Sequence, residues 1–169
     1  MAKHDAPKLK KISVNLPFGI GGTEWEPDVS EAKAAWSLYV ELVTRIAIQP
    51  LSIEQDQGLL REALTSLHSL FATTRQILRE AGPGVGASKQ SVGAIAIAVL
   101  NRGLRPFLSK WHPLLQAWEA LRAPEVDPVK HERTWEREEQ LRSELELLRQ
   151  DLEQYAIALS IIAGVDYYQ

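Results

Sequence analysis

Two arginine–histidine pairs are the chain's most reactive combination of side chains. Arg61 and His68 stand seven residues apart, and so do Arg105 and His112. On a helix that spacing is two turns, which puts both members of a pair on one face. A histidine so placed can move a proton at a ribose hydroxyl or a leaving oxygen while the guanidinium neutralises charge on a phosphorane. The second pair lies in a basic stretch with interleaved aromatics, formed by Arg102, Arg105, Lys110, Trp111, His112 and Trp118. Such a stretch suits a phosphate-bearing ligand, a nucleotide or RNA, with an indole stacked on a base. A structural alternative stands beside it. Trp111 and Trp118, also seven apart, would then anchor a core or groove, and the arginines would pair with the acids that follow them.

The spacing of both pairs resembles the R-x4-6-H motif of HEPN ribonucleases, small helical bundles that often set two such motifs across a dimer to cleave RNA. The resemblance implies catalytic roles for Arg105 and His112, with Arg61 and His68 as the second set. It departs from the family after the arginine, where a polar residue is usual: Glu62 is polar and Pro106 is not.

Other chemistries lack their parts. Gly19-x-Gly21-Gly22 and Pro83-Gly84-x-Gly86 are not followed by Lys-Ser or Lys-Thr and do not join a strand to a helix, so neither is a phosphate loop. His131, Glu132 and Glu136 share a helix face, but no second helix offers the matching Glu-x-x-His pair of a bundle metal site. With no cysteine there is no thiolate zinc site and no disulfide. No metal and no cofactor is expected.

The elements that must position these residues read as helices. Asp28 with Glu31 makes a capping box, and Val29 to Ile48 places Ala35, Leu38, Tyr39, Leu42, Val43 and Ile46 on one face before Pro50. Ser52 and Gln55 repeat the cap, and Leu59 to Leu78 forms a second apolar stripe stopped at Gly82-Pro83-Gly84. The third helix runs from Ser88 through Leu100, Leu104, Phe107, Leu108, Trp111, Leu115 and Trp118, with a kink expected near Gly103 to Pro106 and another before Pro113. Asp127 caps a fourth, Pro128 opens it, and Leu141, Leu145, Leu148, Leu152, Tyr155, Leu159 and Ile162 recur along it at alternating steps of four and three. Taken unbroken to Ala163, that helix would be about 54 Å long. Its first part, Val129 to Glu139, should overhang the rest. Short links imply antiparallel neighbours, hence an all-α, up-down-up-down four-helix bundle with long third and fourth helices. Residues 1–27 are expected to form an extended, glycine-rich N-terminal arm, whose Ile12, Phe18, Ile20 and Trp25 either close over one end of the bundle or wait for a partner's surface, and 28–169 a single bundle domain.

Composition and charge bear on partners. The net charge is -3, yet Ser88 to Arg122 carries five bases against one acid and Pro124 to Gln154 ten acids against five bases. Neighbouring helices of opposite sign attract and help fix their pairing. The N-terminus lacks a signal-peptide pattern, and the longest apolar run, Val92 to Leu100, is far short of the roughly 20 residues a membrane span requires. The expectation is a cytoplasmic protein. An overlong fourth helix and an apolar arm favour a non-enzymatic adaptor or regulatory subunit, meeting another protein or its own copy through Ile12, Phe18, Ile20, Trp25, Trp135 and Leu141. The blocks Val14 to Trp25 and Arg105 to Trp118 resemble short bacterial proteins, some from defence-type operons, which implies a bacterial source. An RNA-cleaving or nucleotide-binding bundle built on Arg105 and His112 is the alternative.

Overall fold

A computed structural model describes residues 10–45 and 59–167. The cap at Ser52 and Gln55, the link around Pro50 and the expected end of the first helix at Ile48 lie outside the described residues. Among the described residues the chain is mostly helical, with one two-stranded sheet.

From residue 10 the N-terminal segment forms a β-hairpin rather than a single extended arm. Strand β1 (Ile12–Leu16) pairs antiparallel with β2 (Gly21–Trp25), Ile12 opposite Trp25 and Leu16 opposite Gly21. The turn between them is closed by the Ile20 N–H donating to the Pro17 carbonyl at 3.2 Å, with positive φ at Phe18 and Gly19. Alternation then does what a period of two dictates. Val14 and Leu16 are buried in the main core, and Ile12, Phe18, Ile20 and Trp25 pack half-buried against it. Of the two expectations for these four side chains, the structure shows contact with the chain's own core, because the hairpin lies along the last helix, where Gln154 donates to the Asn15 carbonyl.

Helix α1 (Val29–Val43) opens with the expected capping box: the Asp28 carboxylate accepts from the Glu31 N–H at 2.8 Å, and Glu31 accepts from the Asp28 N–H at 3.1 Å. The buried Glu31 also accepts from the Val92 N–H at 3.2 Å, so one carboxylate serves the starts of two helices. Helix α2 (Leu60–Ala81) ends at Gly82, whose φ is 84°. Its start is served from far along the chain, where both oxygens of Glu132 accept from the Leu60 N–H at 3.0 Å. Burial pushes the Glu132 carboxyl above its ordinary pKa, with the Leu60 N–H and the Arg142 guanidinium pulling it back.

The third helical stretch is α3 (Val92–Ala98), a wide π-type turn at Val99–Leu104, and α4 (Arg105–Glu119). The interruption falls where Gly103 to Pro106 predicted it. Pro106 sits in the first turn of α4, where its missing N–H is not needed, and Pro113 is carried inside α4 without ending it. Gly103 has a separate role. A Cβ there would stand 2.5 Å from the Phe18 ring, so this glycine is the seat of the hairpin turn. Gly103→Ala is expected to lower stability to urea by about 1–2 kcal/mol through overpacking. In a Phe18→Ala background the same change should be neutral or stabilising, since alanine then brings only its helix preference.

The fourth helix is broken, which corrects the expected overhang. Helix α5 (Pro128–Arg133), capped by Asp127, is followed by a turn at 134–137 and then α6 (Glu138–Ala163), about 39 Å long at the usual rise. Two buried side chains stand at the break: Glu132 turns inward to α2, and Trp135 enters the core with its ring edge-on to Trp111 at 6.1 Å. Trp135 is 7% exposed and Leu141 is fully buried, so neither offers the partner surface expected of them. The seam from Leu141 to Ile162 is buried throughout, with α1 as the main neighbour of α6. Among the described residues, no helix is long and apolar enough to cross a membrane.

Candidate functional site

The facing sides of α2 and α4 carry all four residues of the two arginine–histidine pairs. From α2, His68, Phe71 and Arg75 line a solvent-open groove of about 430 Å³; from α4 come Arg105, Leu108, Ser109, His112 and Pro113. Steps of three and four along each helix put these residues on single faces. Arg61 and His112 meet across the helix interface, and Arg105 reaches Phe71.

His112 is the most constrained member. Arg61 Nη1 lies 2.8 Å from its Nδ1, while Arg61 Nε and Nη2 grip the two oxygens of Glu119, each at 2.9 Å. A guanidinium only donates, so Nδ1 must accept and the ring proton belongs on Nε2. Nε2 is sealed from solvent and faces the Leu64 backbone without good hydrogen-bond geometry. Burial, then Arg61, then His68 hold the His112 pKa below its ordinary 6.5, with Glu119 and Leu64 opposing. The imidazole is therefore neutral, and neither nitrogen is open to the groove.

That constraint has a stability signature. Below pH 6.5 the unfolded chain takes up a proton on this ring that the folded chain refuses, so stability contributed by neutral His112 is lost as the pH falls from 6.5 toward the lowered value and then levels off. Urea midpoints measured from pH 7.5 to 5 should fall more steeply for the wild type than for His112→Gln. Parallel slopes would contradict the assignment.

The other groove residues are freer. His68 is exposed, its ring 5.6 Å from that of His112 at 78° and 6.2 Å from Phe71. The Arg105 guanidinium lies 5.1 Å over the Phe71 ring, and its Nε donates to Asn101 at 3.2 Å. Arg75 is exposed and makes no hydrogen bond or ion pair with any described residue.

The basic stretch of the sequence is not one surface. The period of α4 sends Arg105 and His112 toward α2 but turns Lys110 and Trp111 toward α6, where Glu144 accepts from the Lys110 ammonium at 2.6 Å and from the Trp111 indole at 2.8 Å. Trp111 is fully buried. Trp118 donates to the His131 carbonyl at 3.0 Å and stacks on the His131 ring at 4.7 Å. Arg102 is exposed and does not line the groove. The expected ligand set Arg102, Arg105, Lys110, Trp111, His112 and Trp118 therefore divides: Arg105 and His112 line the groove, Lys110, Trp111 and Trp118 hold α4 to its neighbours, and Arg102 does neither. Sequence reasoning missed Arg75, Phe71 and Ser109 as site residues. A signal for Arg75 was present, since it stands seven residues beyond His68 on the same face.

No family model matches the chain, and no curated protein or solved structure matches it. The resemblance to HEPN ribonucleases thus stands on the spacing of the two pairs. To that spacing the structure adds that both pairs meet within one chain, whereas the family often sets its two motifs across a dimer.

Proposed function

We propose that the chain is a helical binding module, framed as a four-helix bundle by α1, α2, the α3–α4 path and α6, whose α2–α4 groove takes a phosphate-bearing ligand. One observation carries the reading. Two exposed arginines from different helices, Arg75 and Arg105, line a groove in which no carboxylate takes part. Guanidinium forks are the side chains best matched to phosphate oxygens, and a groove without acids lets an anion enter without like-charge repulsion.

Cleavage through His112 is disfavoured, because this histidine has one nitrogen accepting from Arg61 and the other sealed. A general acid or base needs a nitrogen within reach of substrate. Two features that favour the adaptor reading are weakened, since α5 and α6 are separate helices and the hairpin packs on the chain's own core.

Calorimetric titration with inorganic pyrophosphate, beside an RNA-integrity assay, tests the proposal. Saturable binding that weakens with added salt, with RNA left intact, is the expected result. RNA cleavage that is lost in a folded His112→Ala variant would overturn it in favour of the nuclease alternative.

A further inference from the structure

We infer, building on the phosphate-binding reading, that the groove takes one mononucleotide, with its phosphate between Arg75 and Arg105 and its base against His68. Phe71 is in contact with both parts of such a site: the Arg105 guanidinium is 5.1 Å from its ring and the His68 ring 6.2 Å. Cation and imidazole therefore both border Phe71, and the ribose would bridge the gap between them. His68 is the one exposed ring in the lining, since Phe71 is buried and His112 half-buried. Base stacking on such a ring tolerates any base, since each has a π-face. Ser109, on the α4 wall, adds a hydroxyl able to donate to or accept from a sugar hydroxyl.

Two features favour a single nucleotide over a strand. The groove volume, about 430 Å³, lies in the lower part of the roughly 300–1,000 Å³ range of small-molecule sites. Beyond His112 the Arg61–Glu119 bridge ties α2 to α4 at 2.9 Å, and its guanidinium is already committed to Glu119 and His112 rather than open to the next phosphate of a continuing chain.

The experiment is calorimetry on the whole chain with inorganic pyrophosphate, ribose 5-phosphate, AMP and octa-adenylate, repeated on His68→Ala. AMP should bind about tenfold more tightly than ribose 5-phosphate, the weaker end of a base-stacking contribution. Octa-adenylate should bind no more tightly than AMP. His68→Ala should bring AMP down to the affinity that ribose 5-phosphate shows for the same variant, with circular dichroism confirming the fold. Equal affinities for AMP and ribose 5-phosphate, both indifferent to His68, would overturn the nucleotide inference and leave the phosphate site standing. Tighter binding of octa-adenylate would overturn it in favour of a strand. If no probe binds, the phosphate reading itself fails.

Discussion

Replacing Arg75 and Arg105 together with alanine should lower pyrophosphate affinity by about a hundredfold or more and leave the fold intact. Each guanidinium would give a phosphate oxygen charge-assisted hydrogen bonds, and such bonds contribute roughly 1.5–3 kcal/mol apiece. Losing both removes the whole cationic complement of the groove lining. Neither change should cost much stability. Arg75 makes no hydrogen bond or ion pair with any described residue, and Arg105 gives up a surface contact over Phe71, of a kind worth about 0.5–1 kcal/mol at exposed sites. Lysine at both positions should recover part of the affinity, since it returns the charge without the planar fork. Calorimetry with the double variant, checked by its thermal midpoint, decides the matter. Full affinity in the alanine variant would place the anion elsewhere.

Trp111→Ala should be the most destabilising single change outside the groove, at about 3–5 kcal/mol by urea unfolding. The ring is fully buried, meets Trp135 edge-on at 6.1 Å and donates to Glu144 at 2.8 Å. Truncation leaves a cavity beneath the turn that separates α5 from α6. It also leaves Glu144 with fewer donors, since Lys110 and Gln140 alone would remain. Trp111→Phe keeps the edge contact and loses the indole donor, so its cost should be near 1–2 kcal/mol. Because Trp111 faces away from α2, the phenylalanine variant should keep wild-type pyrophosphate affinity. That separation of stability from binding checks whether the two faces of α4 act independently.

How far the sequence revealed this molecule depends on the range of the forces concerned. Local signals were readable: the Asp28–Glu31 box, the Asp127–Pro128 start, the wide turn near Gly103, and the α6 seam from Leu141 to Ile162 all follow from contacts within a few residues. The break at Thr134 to Arg137 was not readable, because no proline or glycine marks it. Around it Glu132 and Trp135 find partners on α2 and α4, contacts that periodicity does not register. The hairpin was half visible. The alternation of Ile12, Val14 and Leu16 pointed to extended backbone, but the glycine-rich Gly21–Trp25 gave little sign of the strand that completes it. At the site, both arginine–histidine pairs were apparent from spacing alone. Their convergence was not, since it depends on α2 and α4 lying side by side, and Arg75 went unnoticed because it has no histidine seven residues on.

The most direct measurement is a backbone amide NMR titration of the isotopically labelled chain with inorganic pyrophosphate. The account predicts saturable shifts concentrated on His68, Phe71, Arg75, Arg105 and Ser109, with little change along α6 or the hairpin. Shifts centred on Arg102 and Lys110, or none at millimolar pyrophosphate, would contradict it.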